Sequence, residues 1–424
     1  MFRIAAFAAC LLAAPAAAET TVIHAGALID DASQPARGPS TITVVDGRIT
    51  AIADGLQAAP AGAELVDLGN LTVMPGLIDA HVHLTGDHDT PYTAQFLDTD
   101  EYGVAIGLKN ARKTLDAGVT TVRDLGSGPQ TMFAIRRAIA EGVAEGPRII
   151  ASGPAISIIG GHGDISRGRP EIVAAMSGYN ICTGAEQCAA KVREFSRAGA
   201  DLIKITATGG VLSQQGRGLE AHFTEAEMQA ITSTARTLGL KVAAHAHGAR
   251  GIESAVTSGV RSIEHGTFVD NAGIRAMKAN GTYMVATLMA YRGIEEQLGT
   301  GIYTPVVEGK IRQTLEFVGK GLKAANDAGV PIAFGTDAGV FAHGRNNEEA
   351  AMMVEKGGMS PRAVLVAATS GAARLLGVDA ETGTLSVGKA ADLIAVEGDP
   401  FQDIRAVERI RYVMANGREH SLGE

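Results

Sequence analysis

The sequence has 424 residues, 46% hydrophobic and 20% charged, a composition that excludes a mainly disordered chain. Its length accommodates a large domain with an appendage. A formal net charge of −9, no tryptophan and 4% aromatic residues exclude the basic faces and stacking platforms of a nucleic-acid binder.

In residues 1–18, Arg3 is the only charge, Ile4 to Leu12 is apolar, and Ala16-Ala17-Ala18 fits a small-residue cleavage site. This predicts a secretory signal peptide cleaved after Ala18. The run is too short for a membrane span and Pro15 interrupts it. No other long apolar run follows, so an exported protein, periplasmic or secreted, is expected, with no membrane span after cleavage. Beyond Cys10 in this leader, the cysteines are Cys182 and Cys188. Export permits a disulfide, but the spacing leaves a bond and two free thiols equally open.

Thr21 to Leu28 and Thr41 to Ile52 alternate apolar and polar residues, with Asp46-Gly47 as a hairpin signal, and Leu65 to Val73 reads as a further strand. The far end has the same character, with Asp392 to Val396, Ile410 to Ala415 and a turn at Asn416-Gly417. Two β-rich ends around a long middle predict one β-sandwich built from both termini, residues 19–73 and 385–424.

The middle, residues 74–384, alternates short strands with Ala-rich helical segments such as Val104–Ala117, Met132–Gly142 and Gln187–Ala198. Gly118, Gly199 and Gly259 close helices, Thr224 with Glu227 forms a capping box, and Ser360-Pro361 opens a late helix. Eight strands are expected: Leu77–His83, Val119–Leu125, Arg148–Ser152, Asp201–Ala207, Lys241–Ala246, Arg261–His265, Thr282–Thr287 and Pro331–Asp337. The expected fold class is therefore α/β, a (β/α)8 TIM barrel with a small β-sandwich, its chemistry at the strand C-terminal ends. An open doubly wound sheet would carry a Gly-rich turn after the first strand, where this chain has His81-Val82-His83.

Residues i and i+2 of a strand point the same way, roughly 7 Å apart, so His81 and His83 project into one place. Strand five repeats the spacing with His245 and His247, strand six ends in His265, and strand eight ends in Asp337. Any one of these alone reads as a packed core residue; ligand-type residues at one end of several strands read as a metal site. Lys204 lies in an apolar strand, where an unpaired ammonium is costly. It is either paired with a carboxylate or carboxylated by carbon dioxide, which turns it into an anion able to bridge two metals. Histidine and carboxylate donors suit zinc or a similar divalent ion. The expected chemistry is attack on an amide carbonyl by a hydroxide shared between two metals, with Asp337 moving its proton to the leaving nitrogen.

His162, in the loop Gly160-Gly161-His162-Gly163, is expected to touch the substrate and to share in catalysis. His247, Tyr291 and Arg292 are further substrate-binding candidates, Arg292 through a bidentate pair to a carboxylate. Arg123-Asp124 reads as a structural ion pair, and His343, Arg345 and Asn346 as rim residues. His24, His222 and His420 are assigned to surface or structure, and Met352-Met353 to helix packing.

Over nearly its whole length the chain resembles the metal-dependent amidohydrolase superfamily, through Pro75–His83, Lys204, His245, His265, Asp337 and Gly388-Lys389-Ala390-Ala391-Asp392-Leu393. The Gly160–Gly163 loop, Gly209-Gly210-Val211-Leu212-Ser213 after Lys204 and His245-Ala246-His247-Gly248 resemble its imidazolonepropionase-like and prolidase-like peptidase branch. The resemblance implies two divalent metal ions, most often zinc. His81, His83 and Asp337 would hold one, His245 and His265 the other, with carboxylated Lys204 between them. It also implies a homo-oligomer and a small-molecule or dipeptide substrate: the C-terminal amide of dipeptides, N-acyl amino acids or ochratoxin-like amides. A mononuclear deaminase or cyclic-amide hydrolase of the same fold is the alternative. Many of those carry a glutamate where this chain has Gly248, and they have no use for a bridging lysine. A non-catalytic exported scaffold would have lost ligands, and none is missing.

Overall fold

The computed structural model describes residues 19–88, 98–165, 169–177, 179–213 and 218–423, so the expected leader lies outside the described residues. Strands β1 (Thr20–Leu28), β2 (Ser40–Val45), β3 (Arg48–Asp54) and β4 (Glu64–Pro75) join three C-terminal strands, β13 (Leu393–Val396), β14 (Ile410–Ala415) and β15 (Arg418–His420). They form one seven-stranded sheet in the order β15-β14-β13-β4-β1-β2-β3. The two termini meet where β13 runs antiparallel to β4. A single continuous sheet thus stands where two layers were expected. It curls around Ile23, Ile42, Val44, Leu393, Ala395 and Tyr412 until the Asp46-Gly47 turn reaches the Asn416-Gly417 turn, with Ala391 N donating to Gly47 O.

Between the two halves lie parallel strands separated by helices. A three-stranded sheet holds β5 (Leu77–Val82), β6 (Val119–Asp124) and β7 (Arg148–Ala151). A five-stranded sheet holds β8 (Ala155–Ile156), β9 (Ile203–Thr206), β10 (Val242–Ala246), β11 (Ser262–His265) and β12 (Tyr283–Val285). The third expected strand is present as β7 and pairs with β6, while β8, directly after Gly153-Pro154, is a further short strand that pairs with β9. The eighth expected strand, Pro331–Asp337, forms no regular strand. It touches β12 through a Met284–Ile332 bridge, and Ala338 just beyond it bridges to Val82 of β5. Its regularity is lost where Asp337 takes a left-handed backbone at φ 63° and where Gly335 passes close to His81. A Cβ on Gly335 would come within 2.4 Å of Val285 Cγ1 and 3.0 Å of the His81 nitrogen.

Alternation along the strands sorts the side chains. Ile203, Ile205, Ala244 and Ala246 pack outward with Val192 and Phe195 of helix Ala185–Ala198, Met228 and Ile231 of helix Glu225–Thr237, and Ile252 and Val256 of helix Ala249–Thr257. Lys204, Thr206, His245 and His247 face a central cavity instead. The Thr224–Glu227 capping box and the Ser360 cap are present as expected. Cys182 and Cys188 are bonded to each other and fully buried. No helix among the described residues is long and apolar enough to cross a membrane.

Candidate metal centre

A cavity of about 900 Å³ opens at the C-terminal ends of the parallel strands. His81, His83, Lys204, His245, His247, His265 and Asp337 line it together with His162 and Tyr291. Asp337 Oδ1 lies 3.0 Å from His83 Nε2 and 3.3 Å from His81 Nε2. Lys204 Nζ is 3.4 Å from the same His81 nitrogen. Among the described residues, two sets of three side chains bring one ligand atom each within 4.8 Å of one another: His81, His265 and Asp337, and His245, His247 and His265.

The far nitrogen of each imidazole is already engaged. His81 Nδ1 faces Glu264 at 3.0 Å, His83 Nδ1 the Gly126 carbonyl at 3.1 Å, and His265 Nδ1 the Thr287 hydroxyl at 2.7 Å. His245 is turned the other way, with Nε2 3.3 Å from the Gly209 carbonyl and Nδ1 left for the cavity. A neutral imidazole carries one N–H, and here an acceptor oxygen takes it at His81, His83 and His245. The remaining nitrogens of His81 and His83, both Nε2, point at the carboxylate of Asp337. Two imidazole nitrogens and a carboxylate thus converge on one place, and a metal-binding histidine typically has its second nitrogen fixed in this way. The donor set fits a divalent metal on these grounds.

Electrostatics divide the imidazoles: burial lowers His83, but its contact with Asp337 outweighs this and raises it above its ordinary value. Burial first, then Lys204, lowers His81 to about 4. Burial lowers His162 and His247 to about 3. All three are therefore neutral lone-pair donors at neutral pH. Burial raises Asp337, but His81 and His83 outweigh it and hold the carboxylate well below its usual range. Burial pushes the Lys204 ammonium down to about 8, which puts a reactive neutral amine within reach of physiological pH.

Two of these side chains depend on strained backbone. Ile263 of β11 packs outward, so alternation would send His265 outward as well. The left-handed φ of 73° at His265 turns it into the cavity instead. Thr287, which holds its ring, has φ 50°, and Asp337 has φ 63°. Non-glycine residues in this region cluster at functional sites.

His162 stands over the centre, its ring 4.3 Å from that of His245 and its Nδ1 2.6 Å from Ser213 Oγ. Gly210 lets it do so, because a Cβ there would lie 2.3 Å from the His162 ring. Lys310 anchors the same loop, donating Nζ to the carbonyls of Gly210 at 2.8 Å and Ser213 at 2.5 Å. The Tyr291 hydroxyl reaches Thr267 Oγ1 at 2.5 Å, and that hydroxyl reaches His247 Nδ1 at 2.7 Å.

Arg292 is not brought to the cavity. It follows Tyr291 on helix Leu288–Glu296, and one residue turns a helix by about 100°, so the exposed guanidinium pairs with Glu296 and Glu348. Asn346 and His343 are not rim residues either. Asn346 Nδ2 donates to buried Asp79 at 2.8 Å, and His343 Nε2 lies 3.1 Å from the His83 carbonyl. Arg345 does stay toward the surface, paired with Glu296 and Glu348. Arg123 pairs with Glu264 at 2.9 Å, not with Asp124, which accepts from Leu84 N and Ser127 Oγ. His420 bonds Asp116, His24 bonds the Gln57 carbonyl, and Met352 and Met353 are core residues. Sequence reasoning missed Glu264, Asp79, Ser213, Thr267 and Lys310. The one signal on offer was a charged residue inside an otherwise apolar strand, as at Asp79 and Glu264.

Comparison with known proteins places these features in context. A family model described as the amidohydrolase family matches residues 72–419. Ochratoxinase from Aspergillus niger is 32% identical over 417 residues, covering 93% of this chain and 85% of that protein. A crystal structure of a Xaa-Pro dipeptidase with bound methionine in its active site superposes with a TM-score of 0.88 at 36% identity, covering 95% of this chain and 99% of that one. A prolidase complexed with N-methylphosphonate-L-proline gives 0.85 at 30% identity, covering 94% and 99%. These matches support a TIM-barrel-type catalytic domain joined to a sheet domain. They make the protein a hydrolase acting on carbon–nitrogen amide bonds.

Proposed function

The chain belongs to the amidohydrolase family, and from that premise we propose that it cleaves the C-terminal amide bond of dipeptides, N-acyl amino acids or ochratoxin-like amides at a binuclear centre. The observation that carries this reading is the convergence of His81 Nε2 and His83 Nε2 on Asp337 while their other ring nitrogens are tied elsewhere. Names among the relatives, an ochratoxinase and a Xaa-Pro dipeptidase, support the substrate class.

His81, His83 and Asp337 would hold one cation and His245 and His265 the other, with His247 close to the second set. Lys204, after adding carbon dioxide and losing a proton, would offer both sites an oxygen. When bound, divalent ions such as zinc would supply Lewis acidity and a water acidic enough to react near neutral pH. Asp337, held as a carboxylate among imidazoles, takes the proton of the attacking water and delivers it to the leaving nitrogen. His162, whose Nδ1 is taken by Ser213, presents its other nitrogen to the substrate carbonyl or carboxylate. His247 and Tyr291, which line the same cavity, orient the substrate.

The same reading divides the chain into a barrel of residues 74–384 and a sheet unit from both ends. It also makes the protein exported. Support for export comes from the Ala-rich segment 1–18 and from the Cys182–Cys188 bond, which persists in oxidising compartments. A panel of dipeptides and N-acyl amino acids, assayed with zinc and bicarbonate present, tests the activity. Turnover of these substrates is expected; turnover confined to cyclic amides or esters would overturn it.

A further inference from the structure

Glu264 enters no step described above, yet it sits directly behind the centre. It lies on β11 one residue before His265 and has no exposed surface. Its carboxylate is shared by side chains from three strands. Arg123 Nη2 of β6 donates to it at 2.9 Å, Ser262 Oγ at 2.5 Å, and His81 Nδ1 of β5 faces it at 3.0 Å. Arg123 is fixed in turn by the Ala80 carbonyl and by Ser262. Two full charges in the middle of a protein are weak evidence of stabilisation, since apolar residues of similar volume often do as well. Their geometry offers another reason for them.

An ionised carboxylate only accepts hydrogen bonds, so the hydrogen of His81 belongs on Nδ1 and the lone pair on Nε2. We propose that Glu264, held in place by Arg123, is a positioning residue that fixes the Nδ1–H tautomer of His81 and thereby makes Nε2 its ligand atom. Swinging the hydrogen to Nε2 would leave two lone pairs facing across the Glu264–His81 contact and would turn an N–H toward the ligand cluster. A carboxylate behind a metal-binding imidazole also raises its basicity, so Glu264 strengthens the bond that His81 makes. The effect on metal affinity rests on the metal centre proposed above; the tautomer does not.

The tautomer is tested on metal-free protein labelled with 15N-histidine at neutral pH, with the His81 resonances identified as those lost in His81→Gln. Nδ1 carrying the hydrogen and Nε2 without one is expected, and an Nε2–H overturns the proposal. The affinity is tested by chelator competition for zinc in the wild type, in Glu264→Gln and in the double variant Arg123→Gln/Glu264→Gln. The double variant leaves no buried charge without its counter-ion. A loss of about 10- to 100-fold is expected in both variants. Wild-type affinity in the double variant would make Glu264 merely the counter-ion of Arg123 and overturn the proposal. If the wild type itself takes up no zinc, the metal reading fails, and the tautomer measurement still decides the role of Glu264.

Discussion

Asp337 Oδ1 lies 3.0 Å from His83 Nε2, on a backbone held at φ 63° by a bond from Asp337 N to the His81 carbonyl. Asparagine tolerates this backbone region better than most residues do. Asp337→Asn should therefore fold normally, with a melting temperature close to the wild type. It cannot take up a proton as the carboxylate does, so kcat should fall by about 10²- to 10⁴-fold. Unchanged hydrolysis in a folded variant would remove Asp337 from the mechanism.

Lys310 is buried, and burial lowers its ammonium to about 8 from an ordinary value of 10.5. Between those two pH values the unfolded chain holds a proton that the folded chain has released. Stability from this group should therefore rise with pH across that window and be flat below it. Lys310→Met removes the group. The difference in melting temperature between wild type and variant should then shift in the wild type's favour from pH 8 to pH 10. The variant also frees the Gly210 and Ser213 carbonyls that seat His162. KM should rise more than kcat falls; an unchanged KM would disconnect this loop from substrate.

The Cys182–Cys188 bond closes a short loop beside Asn180, whose side chain donates to the carbonyls of Ala155 and Gly163 around His162. Replacing both cysteines with serine should cost about 2 kcal/mol, since a small loop gains little from closure. Chemical denaturation measures this, and the substrate KM should rise alongside. Equal stability with and without the bond would make the cystine incidental.

Arg292 is 45% exposed in its side chain and, among the described residues, pairs with the carboxylates of Glu296 and Glu348. Exposed pairs of this kind contribute about 0–1 kcal/mol. Arg292→Ala should leave kcat/KM within about two-fold of wild type and stability within about 0.5 kcal/mol. A large rise in KM for substrates with a free carboxylate would restore the guanidinium to substrate binding.

How much of this was legible in the sequence follows from the range of the interactions. His81 and His83, or His245 and His247, carry their message locally, because strand alternation fixes where both point once the strand is recognised. Lys204 stood out because a charge in an apolar strand needs an explanation. Glu264 offered the same signal but was hidden beside His265, and its partners Arg123 and His81 lie more than 140 positions away in the chain. Only the packing of the two parallel sheets brings them together. Tyr291 and Arg292 are adjacent in sequence, but the segment after β12 is a helix, on which neighbours face different ways, so Tyr291 lines the cavity and Arg292 does not. The irregular eighth strand was illegible for a related reason. It is set by close approaches, such as that of Gly335 to His81, which no local pattern encodes.

The account stands on Lys204 joining two metal sites. Metal analysis of protein reconstituted with zinc and 13C-bicarbonate, with carbon NMR to detect a carboxylated lysine, tests this directly. Two zinc ions per chain and a carbamate signal absent from Lys204→Gln are predicted. One ion or none per chain, with Lys204 remaining a simple ammonium, would contradict it.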